Sequence, residues 1–156
     1  RSALIVVGDG AFRNELEHLL TGYPVLFTGF LSGDELSTIY ASSDVFVFPS
    51  TTDTFGNVVL EAQSSGIPVI VSDEGGPKEL MVDGKTGLVI KAHSKTALVD
   101  ALTFFLRDKN NRAFMGSNAR NFAETNGITA YEAYHTILNT HAKIEERCTT
   151  EDFVQV

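Results

Sequence analysis

Short runs of β-branched and aromatic residues alternate along most of the chain with stretches whose apolar positions recur every three or four residues. Runs of the first kind are Ala3 to Val7, Val25 to Thr28, Asp44 to Phe48, Ile67 to Val71 and Gly87 to Ile90. Their near-continuous apolarity predicts strands buried on both faces, as in a parallel sheet. Stretches of the second kind predict helices near Ala11 to Leu20, Asp34 to Ala41 and Gly56 to Ser65. Ser32 and Glu35 have capping-box spacing ahead of the second helix, and Gly66 closes the third. A brief helix is expected after Pro77. Beyond the fifth strand the pattern is wholly helical. Ser94 caps Lys95 to Leu106, Asp108 or Asn110 caps a helix to about Glu124, and Thr129 opens one to about Glu146. The expected class is therefore α/β, a doubly wound parallel sheet with C-terminal helices and its ligand at the carboxyl ends of the strands. Residues 1–147 form one domain in this reading, and 148–156 a polar tail.

Composition narrows the partners. The 156 residues carry 12 Lys and Arg against 20 Asp and Glu, a net charge of −8. With a pI near 4.9 and no basic cluster, nucleic acid is an unsuitable partner, because its affinity rests on cations neutralising phosphates. Cys148 stands alone in the tail, so it closes no internal disulfide, and a reducing, cytoplasmic setting is the simplest expectation. Peripheral association with the inner face of a membrane stays open. No apolar run approaches the roughly 18 to 20 residues that span a bilayer.

Several chemistries fail on spacing. Gly8-Asp9-Gly10 follows a strand, but the third glycine of a dinucleotide fingerprint would fall at Arg13, and Gly29-Phe30 stands where a ribose-binding acid is expected. A phospho-acceptor fold needs an acid after its central strand, where Pro49-Ser50 stands. His18, His93, His135 and His141 lack metal-ligand spacing, and there is neither a Gly-x-Ser-x-Gly elbow nor an Asp-x-Asp pair. No metal and no cofactor are expected.

The informative stretch runs from Phe48 to Pro77. A buried strand ends in a small polar loop, and a helix starts near Phe55 to Gly56 with its unpaired amides directed above the sheet, an arrangement suited to an anion. On that helix Asn57, Glu61 and Ser64 or Ser65 share a polar stripe, while Val58, Val59 and Ala62 face elsewhere. Glu61 is expected as a buried carboxylate that takes donors from sugar hydroxyls. Taken singly, Glu61 reads equally as a locally paired helix residue and Asp53 as an acid complementing the helix dipole.

This stretch resembles the donor-binding signature of the group 1 family of retaining glycosyltransferases, whose two-domain architecture is called GT-B. There an acid and a glutamate separated by seven residues bracket a helix start, as Asp53 and Glu61 do. The first acid is more often glutamate, so Asp53 reaches about one methylene less far. The resemblance covers roughly Ala3 to Glu124, including Gly8-Asp9-Gly10, Thr28-Gly29-Phe30-Leu31, Tyr40-Ala41-Ser42-Ser43-Asp44, Gly75-Gly76-Pro77-x-Glu79 and Asp83-Gly84-Lys85-Thr86-Gly87. It implies the Rossmann-like C-terminal half of a GT-B fold, the half that binds the donor. It further implies that Glu61 accepts from the ribose hydroxyls of a nucleotide diphosphate sugar and that Asp53, the candidate catalytic residue, holds a hydroxyl of the donor sugar. Backbone amides of Thr54, Phe55, Gly56 and Asn57 would meet the sugar and diphosphate, Val58 would pack against the ribose, and Phe30 and Leu31 would lie near the base. In the family an Arg and a Lys on an earlier segment supply cations, and an N-terminal domain binds the acceptor, whether glycan, lipid or small molecule. The expectation is thus a donor-binding domain truncated at its first edge, inactive alone, in an enzyme that transfers a glycosyl group with retention and without a metal. A non-catalytic nucleotide-binding or structural domain of GT-B type, or another GT-B enzyme such as a nucleotide-sugar epimerase, is the alternative.

Overall fold

A computed structural model describes residues 2–126. The elements run β1 (Leu4–Val7), α1 (Arg13–Leu19), β2 (Val25–Gly29), α2 (Gly33–Ala41), β3 (Phe46–Phe48), α3 (Asn57–Ser64), β4 (Val69–Ser72), a 3-10 turn (Pro77–Leu80), β5 (Gly87–Ile90) and α4 (Lys95–Arg107). Residues 109–126 form a further helix, α5. The helix expected from Thr129 to Glu146 and the tail from Cys148 lie outside the described residues.

Every strand pair is parallel, as the apolar runs predict, but the strands form two ladders rather than one. β1 pairs with β2, and β3, β4 and β5 pair in that order; no ladder joins β1 to β3. Strand boundaries also move. Pro68 has no amide to give, so β4 starts at Val69, although the Pro68 carbonyl still accepts from the Phe46 amide at 3.0 Å. Asp44 and Val45 stay outside β3, and Asp44 is exposed and faces Arg112 of α5 at 3.3 Å.

β4 is buried along its whole length because each face of the three-stranded sheet is covered. Side chains alternate across a strand, so Val69 and Val71 join Val59, Ala62 and Tyr40 on the α3 side, while Ile70 joins Ala101 and Phe105 of α4 on the other. The two-stranded ladder is less enclosed. Leu4 and Leu26 are about half exposed, and α1 buries none of its residues.

The helix ends follow the sequence in part. Ser94 accepts from the Ala97 amide at 3.2 Å and caps α4. Asp108, rather than Asn110, caps α5 through the amides of Asn110 and Asn111 at 2.9 and 3.0 Å. α3 closes at Gly66 with paired bonds from Gly66 to Gln63 and from Ile67 to Ala62. The capping box at Ser32 does not form: Ser32 is extended at the start of α2, but its side chain caps nothing.

Candidate functional site

The loop between β3 and α3 emerges at the carboxyl end of the three-stranded sheet and is held from below by the loop after β4. Ser72, the last residue of β4 and 1% exposed, donates its hydroxyl to the carbonyls of Ser50 at 3.0 Å and Glu74 at 2.8 Å. The Gly76 amide donates to the Asp53 carbonyl at 2.9 Å. The approach is so close that a Cβ on Gly76 would lie 2.0 Å from the Thr54 carbonyl oxygen. Gly56 adopts a left-handed conformation, φ 75° and ψ 42°, which turns the chain into α3 while its backbone rests on Pro77. The Gly75-Gly76-Pro77 motif is therefore the seat on which the Asp53 to Gly56 loop is folded.

Asp53 is half-buried and works locally: its Oδ1 accepts the Phe55 amide at 2.9 Å, and its own amide donates to Ser50 Oγ at 3.2 Å. Thr54, Phe55 and Asn57 are exposed, Gly56 is buried and Val58 is half-buried. No side chain caps the start of α3 and no acid lies in its first turn; the Asp53 carboxylate is bound to the Phe55 amide just before the helix begins.

Glu61 corrects one expectation: it is exposed, whereas Val59, Ala62 and Gln63 carry the buried side of α3. One of its donors comes from the protein. Tyr40 Oη donates to Glu61 Oε2 at 3.1 Å, with Tyr40 only 8% exposed at the end of α2. Burial first, and the facing carboxylate second, push the Tyr40 phenol well above its ordinary ionisation range. The ring meets Phe46 edge-on at 5.6 Å between centroids, and Phe46 stacks on Phe48 at 6.0 Å, so the strand that carries the loop also fixes the tyrosine. Gln63 Nε2 donates to the Leu80 carbonyl at 2.7 Å, tying α3 to the 3-10 turn, and its Oε1 is buried without a protein partner.

Phe30 and Leu31 follow β2, in the other ladder. Phe30 is 84% exposed and Leu31 is half-buried. There the Gly8 amide donates to the Gly29 carbonyl at 2.8 Å, and Arg13, paired with Glu17 at 2.8 Å, lies beside Gly29. A shallow cavity of about 200 Å³ opens elsewhere, above β4 and β5, between Pro49, Ser72 and the start of α4. Tyr40 and Ser72 escaped the sequence reading as site residues. Tyr40 had appeared only within a motif, and a bond to a carboxylate 21 residues away leaves no periodic trace.

Among the described residues no group of acids, histidines or cysteines is arranged to hold a metal, and no helix is long and apolar enough to cross a membrane. A family model described as glycosyl transferases group 1 matches residues 2–122. The sulfoquinovosyl transferase of Arabidopsis thaliana is 45% identical over 76% of this chain and 24% of its own length. Anabaena HepE, crystallised with UDP and glucose, superposes with a TM-score of 0.76 at 26% identity over 88% of this chain and 40% of that one. The C-terminal domain of LpcC, a glycosyl transferase group 1 family protein of Francisella tularensis, superposes with a TM-score of 0.71 at 26% identity over 79% and 68% of the two chains. The chain spans about a fifth to a third of the length of the curated relatives it matches.

Proposed function

The chain belongs to the group 1 glycosyl transferases, and from that premise we propose that it binds the donor, a nucleotide diphosphate sugar, for an enzyme that transfers the glycosyl group to an acceptor with retained anomeric configuration. One observation carries the reading: a single segment after β3 bears Asp53, the uncapped start of α3 and Glu61, and Gly76 fixes its loop from below. The complex of HepE with UDP and glucose supports a donor of this class.

Each part has a task set by its chemistry. Charge accumulates on the departing diphosphate, and the start of α3 supplies backbone dipoles worth about 0.3 to 2 kcal/mol toward it. On a chain of net charge −8 such local fields matter, since the overall potential opposes an anionic donor. Glu61 keeps one carboxylate oxygen on Tyr40 and offers the other to ribose hydroxyls. Asp53 keeps Oδ1 on the Phe55 amide and offers Oδ2 to a hydroxyl of the donor sugar. Amides of the Thr54 to Asn57 segment and the half-buried Val58 complete the contacts to sugar and ribose, with Phe30 and Leu31 toward the base. The acceptor hydroxyl is held by a second domain, as in a GT-B enzyme of which residues 1–147 form the donor half. No covalent nucleophile is assigned and no divalent metal is included; residues 1–156 hold no Asp-x-Asp pair of the kind that clamps a metal-diphosphate.

Titration of the chain with UDP, GDP and ADP tests the reading. One nucleotide is expected to bind with Kd on the order of a millimolar, from ribose contacts and helix amides alone. Excess EDTA should leave that Kd unchanged. Indifference to all three nucleotides would overturn the proposal.

A further inference from the structure

We propose that Tyr40 is a positioning residue for nucleotide recognition: its buried hydroxyl holds one oxygen of the Glu61 carboxylate and thereby presents the other to the ribose hydroxyls. The inference rests on the reading of Glu61 as the ribose acceptor and adds to it the group that orients that acceptor.

An exposed glutamate on a helix samples several rotamers, so its carboxylate is not aimed by the backbone alone. Tyr40 is the one hydrogen-bond partner of the Glu61 carboxylate among the described residues, at 3.1 Å. The tyrosine is itself packed in place: it is 8% exposed, and its ring is edge-on to Phe46. A carboxylate only accepts, so the phenol must donate, and the direction of the bond is fixed. Burial and the facing charge keep the hydroxyl protonated throughout the ordinary pH range. Phe46 belongs to β3, which runs straight into the Pro49 to Asp53 loop. The same strand therefore places the sugar-side loop and, through one aromatic contact, the ribose-side carboxylate. A pre-aimed acceptor loses less freedom when ligand arrives, and binding gains by that difference.

The test compares the unsubstituted chain, Tyr40→Phe, Glu61→Ala and the double variant. Each is titrated with UDP, GDP and ADP and with their 2′-deoxy counterparts. The unsubstituted chain is expected to prefer the ribonucleotide it binds best over its deoxy form. Tyr40→Phe, which keeps the ring against Phe46, is expected to shrink that preference by about threefold to tenfold, with a smaller loss for the deoxynucleotide, which keeps its 3′-hydroxyl. In the Glu61→Ala background, Tyr40→Phe should change neither. Equal losses for both sugars, or a loss that persists without Glu61, would make Tyr40 merely structural and overturn the proposal. An intact preference in Tyr40→Phe would overturn it too, with the role of Glu61 standing. Absence of any preference in the unsubstituted chain, or an unaltered Kd in Glu61→Ala, would remove the role of Glu61 and the proposal with it. The thermal midpoint of each variant, expected above the assay temperature, excludes unfolding as the cause.

Discussion

Gly76 and Asp53 are joined by an amide-to-carbonyl bond of 2.9 Å that crosses from the loop after β4 to the loop after β3, with no side chain between the two backbones. Any side chain at Gly76 would drive into the Thr54 carbonyl, which a Cβ would approach to 2.0 Å. Backbone has little room to yield, so Gly76→Ala is expected to cost about 1 to 3 kcal/mol of stability, read as a lower urea midpoint at constant slope. The same variant should bind nucleotide more weakly than its stability loss explains, because the loop it displaces carries the Thr54 to Asn57 amides proposed for the diphosphate as well as the sugar. Unchanged midpoint and unchanged Kd would show that the loops are not seated on one another.

Asp53 carries two duties that substitution can part. Asp53→Asn keeps an acceptor for the Phe55 amide and removes the charge, whereas Asp53→Ala removes both. The alanine variant is expected to lose about 0.5 to 1.5 kcal/mol of stability and the asparagine variant only a few tenths. Both should bind the free nucleotide almost normally and lose the added affinity of the nucleotide-sugar. Calorimetric titration with a nucleotide and its sugar conjugate checks this. An asparagine variant that still favours the conjugate would confine Asp53 to holding the loop.

The phenol of Tyr40 gives a pH dependence of definite sign. Its ionisation in the folded chain lies above the ordinary 10.0, so above that pH the unfolded chain releases the proton while the folded chain keeps it. The stabilisation is complete below about pH 10 and is lost as pH rises through the folded value. The unsubstituted chain should therefore lose stability faster than Tyr40→Phe above pH 10, the difference in slope approaching about 1.4 kcal/mol per pH unit. Urea midpoints taken in parallel on the two proteins read it directly. Parallel curves would mean that the hydroxyl is not held against Glu61.

These residues also mark what a sequence can disclose. Strand positions were legible because burial on both faces writes a continuous apolar run, and Val69 to Val71 is fully buried in consequence. Boundaries were less so: the missing amide of Pro68 puts the start of β4 at Val69, and the ladder of β3 begins only at Phe46, past Asp44 and Val45. Apolarity also says nothing about which strand lies beside which, so one continuous sheet was expected where two ladders stand. At the site, the acid and glutamate spacing could be read because it is local to one turn and helix. The contacts that shape the site, Tyr40 to Glu61 and Gly76 to Asp53, join separate segments and exist only once the chain has folded.

The division of the strands has a consequence for how the molecule opens. A continuous sheet shares its hydrogen bonds and tends to yield as a unit, but here β2 has β1 as its one strand partner, and β4 and β5 belong to a different ladder. The first ladder also has the thinner apolar cover, with Leu4 and Leu26 about half exposed beside the fully buried β4. Two opening free energies are thus expected in place of one. In hydrogen–deuterium exchange the amides of Leu26 and Phe27 should trade their protons well before those of Ile70 and Val71. The nucleotide contacts proposed at α3 and those at Phe30 would then rest on parts of differing endurance. A ligand that touches both should slow exchange most in the weaker ladder, because that is where binding has the most opening to suppress.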